Sequence, residues 1–110
     1  MGAETTFQED QGDKHVLQAA IKSLTQKVHR DLMEYKMRTG AISIKLRYPN
    51  FKTITRARKL LAHTHSLEVI QREFLELLEM HYTGHPALRL IGISLRELTD
   101  SYWQPSLFDL

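Results

Sequence analysis

From Ile42 to Tyr48 the chain alternates without a break. Ile42, Ile44, Leu46 and Tyr48 fall on one side, and Ser43, Lys45 and Arg47 on the other. Successive side chains of a strand point to opposite faces, so this segment reads as a half-buried strand with one apolar and one basic face. Such a strand belongs in a sheet that is covered on one side only. The rest of the chain must supply the cover, and the face left bare carries positive charge.

The cover is legible. From Asp13 to about Met37, Leu17, Ile21, Leu24, Val28, Leu32 and Tyr35 recur at steps of three and four, which places them along one face of a long helix. Gly12 and Asp13 supply a turn and an N-cap, and Gly40 is expected as the C-terminal cap. Ser66 caps a second helix whose apolar stripe is Leu67, Ile70, Phe74, Leu77 and Leu78. Glu68 lies in its first turn, and Gly84 and Pro86 end it.

Three further strands fit around these helices. Glu4 to Gln8 is rich in residues that favour extended structure, and Ala87 to Leu98 carries Leu88, Leu90, Ile91, Ile93 and Leu95. Gly92 in its middle marks a bulge or a close backbone approach. The turn Pro49-Asn50 closes a hairpin whose second arm runs from Phe51 to about Leu61. The phase of that arm is contradictory. If Ile54 and Leu60 point inward, so do Arg56 and Arg58, and a bulge or an end effect near Thr55 would resolve the conflict. The order β-α-β-β-α-β gives an α+β fold, a four-stranded sheet with both helices on one face and the other face open. Residues 1–99 are expected to form this one domain, and residues 100–110 a C-terminal tail.

The charge distribution says what the open face meets. The net charge is only +2, yet no acidic residue occurs between Glu34 and Glu68, a stretch that holds Lys36, Arg38, Lys45, Arg47, Lys52, Arg56, Arg58 and Lys59. A segregated basic stretch implies an anionic partner. Hydroxyls and guanidinium groups are the usual holders of a phosphate backbone, and Thr53, Thr55, Arg56 and Arg58 beside Ser43, Lys45 and Arg47 supply both, with Arg89 extending the patch. Bases are stacked by exposed aromatics, and the strands offer none, which favours duplex over single strands. An RNA-recognition motif would need aromatics where Lys45, Arg47 and Thr53 stand, and a small-ligand sensor would leave the basic stretch without a role.

Catalysis finds no foothold. There is no cysteine, no phosphate-binding glycine loop and no nucleophile elbow. His63-Thr-His65 and His81-x-x-x-His85 are the close histidine pairs, and neither has the further ligands of a metal site. Glu73, Glu76 and Glu79 read as the wet side of the second helix. With neither signal peptide nor membrane span in view, the expected location is the cytoplasm. The tail, Tyr102-Trp103-Gln104-Pro105-Ser106-Leu107-Phe108, is apolar enough either to fold back on the domain or to insert in a partner's pocket.

Four stretches in this order resemble the little finger domain of Y-family (DinB/UmuC-like) translesion DNA polymerases. They are Glu4-Thr5-Thr6-Phe7-Gln8-Glu9-Asp10, Lys45 through Arg56 with Phe51-Lys52-Thr53-Ile54-Thr55-Arg56, Ala87 through Leu95, and Gln104-Pro105-Ser106-Leu107-Phe108. The last is similar to a sliding-clamp-binding motif, with Pro105 in place of the commoner leucine. The resemblance implies a domain that lies against primer–template duplex DNA, with Arg47, Arg56 and Arg89 near phosphates. It implies clamp contact through Gln104, Ser106, Leu107 and Phe108. It also implies that the catalytic palm and its Mg2+ lie in a part of the parent polymerase outside this chain, so that this monomeric domain needs no cofactor. A module concerned chiefly with clamp docking is the alternative reading.

Overall fold

The computed structural model of the chain describes residues 1–100. Six elements follow in the order β1 (Gly2–Gln11), α1 (Lys14–Glu34), β2 (Met37–Arg47), β3 (Thr53–Thr64), α2 (Leu67–His81) and β4 (Leu88–Asp100). The four strands form one antiparallel sheet in the order β1-β4-β2-β3. Ile42, Ile44 and Leu46 of β2 and Ile91, Ile93 and Leu95 of β4 form one cluster with Leu17, Ile21, Leu24, Val28 and Leu32 of α1 and Ile70, Phe74, Leu77 and Leu78 of α2. Both helices therefore cover the same face, because the apolar side of each central strand has nowhere else to be buried.

The helix starts are capped by the side chains their sequences offer. Asp13 accepts from the His15 amide at 2.8 Å, and Ser66 accepts from the Val69 amide at 3.2 Å. The end of α1 departs from expectation. Its stripe closes at Leu32, and Tyr35 stands at the C-cap with 69% of its surface exposed. Lys36 adopts the left-handed conformation (φ 56°), and the chain turns directly into β2. Gly40 is therefore a strand residue rather than a cap. There the His63 imidazole lies over it, so closely that a Cβ would stand 2.5 Å from Nε2 and the ring would have to move.

The β2–β3 register runs unbroken from Arg47↔Thr53 to Ala41↔Lys59, so there is no bulge at Thr55. The irregularity falls later, between the Ala41↔Lys59 and Thr39↔Thr64 pairs. Nor is there a register shift at Gly92, since β4 pairs regularly with β2 from Met37↔Asp100 to Arg47↔Leu90. The chain reverses between β2 and β3 through Tyr48, whose amide donates to the Lys52 carbonyl at 2.8 Å, with Phe51 in the left-handed region (φ 67°).

Candidate nucleic-acid interface

Residues directly opposite each other in an antiparallel pair share a face. The open face can thus be written as rows that cross the sheet. One row is Thr6, Leu90, Arg47 and Thr53. The next is Glu4, Gly92, Lys45 and Thr55. A third is Gly2, Ser94, Ser43 and Ala57, and a fourth contains Arg96, Ala41 and Lys59. The third row holds only small residues. It forms the floor of a shallow depression bordered by Lys45 and Thr55 on one side and Arg96 on the other. At about 3.4 Å per residue, the two bordering rows stand about 14 Å apart. Ser43 is 4% exposed although it lies on the open face, because longer neighbours rise around it.

The cations on this face are held in different ways. Arg47 Nε donates to Thr53 Oγ1 at 3.0 Å, and Arg96 Nε donates to Ser94 Oγ at 3.2 Å. Neither has a carboxylate within ion-pair distance among the described residues. Lys45 Nζ instead reaches Glu4 Oε1 at 2.8 Å, and Lys59 lies 3.5 Å from Glu97 Oε2. The hydrogen bond from Lys45 and its charge hold the Glu4 carboxyl below the usual glutamate range. Gly92 has a role in this contact. Lys45 crosses the middle of β4 to reach β1, and a Cβ on Gly92 would stand 3.1 Å from Lys45 Cε and 3.3 Å from Glu4 Cβ.

Of the residues expected at the interface, Ser43, Lys45, Arg47, Thr53 and Thr55 come together on the open face. Arg56 and Arg58 do not join them. They pair with Ile44 and Ile42, whose side chains face the helices, so both arginines sit on the covered side of the sheet. Arg56 is exposed at the outer edge and donates to the Thr55 carbonyl. Arg58 is drawn beneath α2, where Nη1 lies 2.8 Å from Glu73 Oε1 and 2.9 Å from Glu76 Oε1. Hydrogen bonds to Glu73 and then to Glu76 raise its pKa further above the ordinary arginine value. The contradictory phase of β3 is thus resolved by two helix glutamates, not by a bulge. Arg89 is exposed at the start of β4 and bonds Asp10 Oδ1 at 2.7 Å.

Arg96, Lys59 and Glu4 were not singled out as site residues. The phase of Ile91, Ile93 and Leu95 already sends Arg96 to the open face, and Thr53 and Thr55 do the same for Lys59. Gln104, Ser106, Leu107 and Phe108 lie outside the described residues. Among the described residues no group of three or more His, Cys, Asp or Glu is placed to hold a metal ion. No described helix is long and apolar enough to cross a membrane.

Comparison with known proteins gives these features a context. The pattern of the impB/mucB/samB family C-terminal domain matches residues 1–107. The chain is 32% identical over 104 residues to DNA polymerase IV of Listeria monocytogenes serotype 4b, covering 94% of this chain and 29% of that protein. It is 37% identical over 95 residues to DNA polymerase IV of Methanoculleus marisnigri, covering 86% of this chain and 26% of that protein. The chain thus spans less than a third of the length of these relatives. Among solved structures, it superimposes on a complex of beta-clamp processivity factor and little finger domain of PolIV with TM-score 0.71, at 19% identity, over 99% of this chain and 97% of that one. It matches a Dbh ternary complex with TM-score 0.73, at 14% identity, over 86% of this chain and 27% of that one. The chain belongs to the impB/mucB/samB family C-terminal domain, the little finger of Y-family, DNA polymerase IV-like proteins.

Proposed function

We propose that this domain holds primer–template duplex DNA by its phosphate backbone, as the DNA-gripping part of a longer polymerase that copies past template lesions. The observation that carries the reading is the open sheet face itself. Lys45, Arg47, Arg96 and Lys59 surround a floor of small residues, with the hydroxyls of Ser43, Thr53, Thr55 and Ser94 between them. Cations and hydroxyls position a backbone without reading bases, which suits an enzyme that must accept any sequence. Arg56 stands on the covered side at the outer edge, and Arg89 is held by Asp10, so neither belongs to the open-face set. Arg58 is assigned to the fold, because two carboxylates already hold its guanidinium. Template-directed nucleotidyl transfer, and the Mg2+ it uses, would belong to the rest of the parent protein.

Binding of the chain to a primer–template duplex, followed by fluorescence anisotropy across a salt series, tests this reading. Each phosphate neutralised contributes about −0.9 to the slope of log K against log salt. A slope near zero contradicts the proposal.

A second role is favoured by the clamp-bound little finger among the similar folds. We infer that the tail docks on a sliding clamp through Gln104, Ser106, Leu107 and Phe108. Replacing Leu107 and Phe108 together by Ala should abolish retention on immobilised clamp, and equal retention removes the tail from the account.

A further inference from the structure

We propose that Glu4 is a built-in competitor for the DNA phosphate that Lys45 binds. The inference rests on reading the open face as the DNA surface. Its own evidence is the contact across Gly92. Glu4 and Lys45 stand on strands that are not neighbours, with β4 between them, so their side chains bridge two strand spacings, about 10 Å of sheet. They nevertheless meet at 2.8 Å, and the strand between them carries glycine at that row. Glu4 is also the one carboxylate in the rows built around Ser43, Lys45 and Arg47. The Glu4 side chain is 53% exposed and the Lys45 side chain 36%, so an incoming phosphate has access to the ammonium group.

The chemistry follows from this placement. A carboxylate oxygen at hydrogen-bond distance occupies the position that a phosphate oxygen would take on Lys45. Glu4 is ionised at neutral pH, as any glutamate near its ordinary value is, and Lys45 only favours the charged form further. DNA binding must therefore move Glu4 aside and place a phosphate beside a like charge, and both effects oppose association. Lys45 is already neutralised before DNA arrives. It adds less to the salt slope than Arg47 or Arg96, whose partners are uncharged hydroxyls. The domain's grip is thus held below what its cations alone would give.

Glu4→Gln keeps the shape and hydrogen-bonding capacity of the side chain and removes its charge. The test compares wild type, Glu4→Gln, Lys45→Ala and the double variant, each checked for folding by circular dichroism, on a primer–template duplex over a salt series. Glu4→Gln is expected to tighten binding roughly two- to fivefold at low salt, the range of an exposed ion pair. It should also steepen the log–log slope by up to about 0.9. In the Lys45→Ala background most of that gain should vanish, since the two residues act on one phosphate. If Lys45→Ala weakens binding while Glu4→Gln changes neither affinity nor slope, the competitor is overturned and the DNA surface stands. An equal gain with and without Lys45 makes Glu4 a general repulsive charge, and also overturns it. If none of the variants alters binding, the open-face reading falls with it.

Discussion

Arg58 Nη1 lies 2.8 Å from Glu73 Oε1, and this contact ties the outer strand β3 to α2. The Arg58 side chain is 23% exposed and that of Glu73 20%, so the pair is drawn well out of water, and Glu76 supplies a second oxygen at 2.9 Å. Without the arginine, two carboxylates would face each other at the edge of the core. Charge-assisted bonds of this kind contribute about 1–3 kcal/mol. Arg58→Ala should lower the stability of the domain by about that amount in chemical denaturation while leaving the DNA salt slope unchanged. A flattened slope at full stability would return Arg58 to the DNA-binding set.

The Glu4 carboxyl should titrate below the ordinary glutamate range when followed by carboxyl-carbon NMR, because Lys45 stabilises its charged form. Its folded-state value lies below its unfolded value. Whatever the pair adds to stability is therefore present above the unfolded value and is lost as pH falls through the folded one. Lys45→Met should bring the midpoint back into the ordinary range. A midpoint indifferent to Lys45 would mean that the two side chains do not meet in solution.

Gly40 lies under the His63 ring, with Nε2 2.5 Å and Cε1 2.7 Å from where a Cβ would be. Gly40→Ala must therefore displace the imidazole. His63 is exposed and can swing outward, so the expected cost is at the low end for overpacking, about 1 kcal/mol. Adding His63→Ala should recover most of it in thermal or chemical unfolding. Additive losses would show that the two residues are not in contact.

The architecture was legible because its causes are local. The alternation at Ile42, Ile44 and Leu46 fixed one strand's face, and the stripes from Leu17 to Leu32 and from Ile70 to Leu78 specified the cover. Part of the expected patch comes together on one face for the same reason. Ser43, Lys45 and Arg47 follow from that alternation, whereas Arg56 and Arg58 were grouped with them by charge although their phase pointed away. What settles Arg58 is its meeting with Glu73 and Glu76, fifteen and eighteen residues further on. The Glu4–Lys45 bridge was out of reach, since it depends on two registers, β1 on β4 and β4 on β2. Gly40 was misread as a cap because the left-handed turn after α1 is made by a lysine.

The most direct test of the account is the salt dependence of duplex binding for wild type, Arg47→Ala plus Arg96→Ala, and Arg58→Ala. If the open face holds the phosphates, the double variant should lose affinity and flatten the log–log slope by about 1.8, at about 0.9 for each phosphate contact. Arg58→Ala should keep the wild-type slope. A wild-type slope in the double variant, or a flattened one in Arg58→Ala alone, would contradict the account.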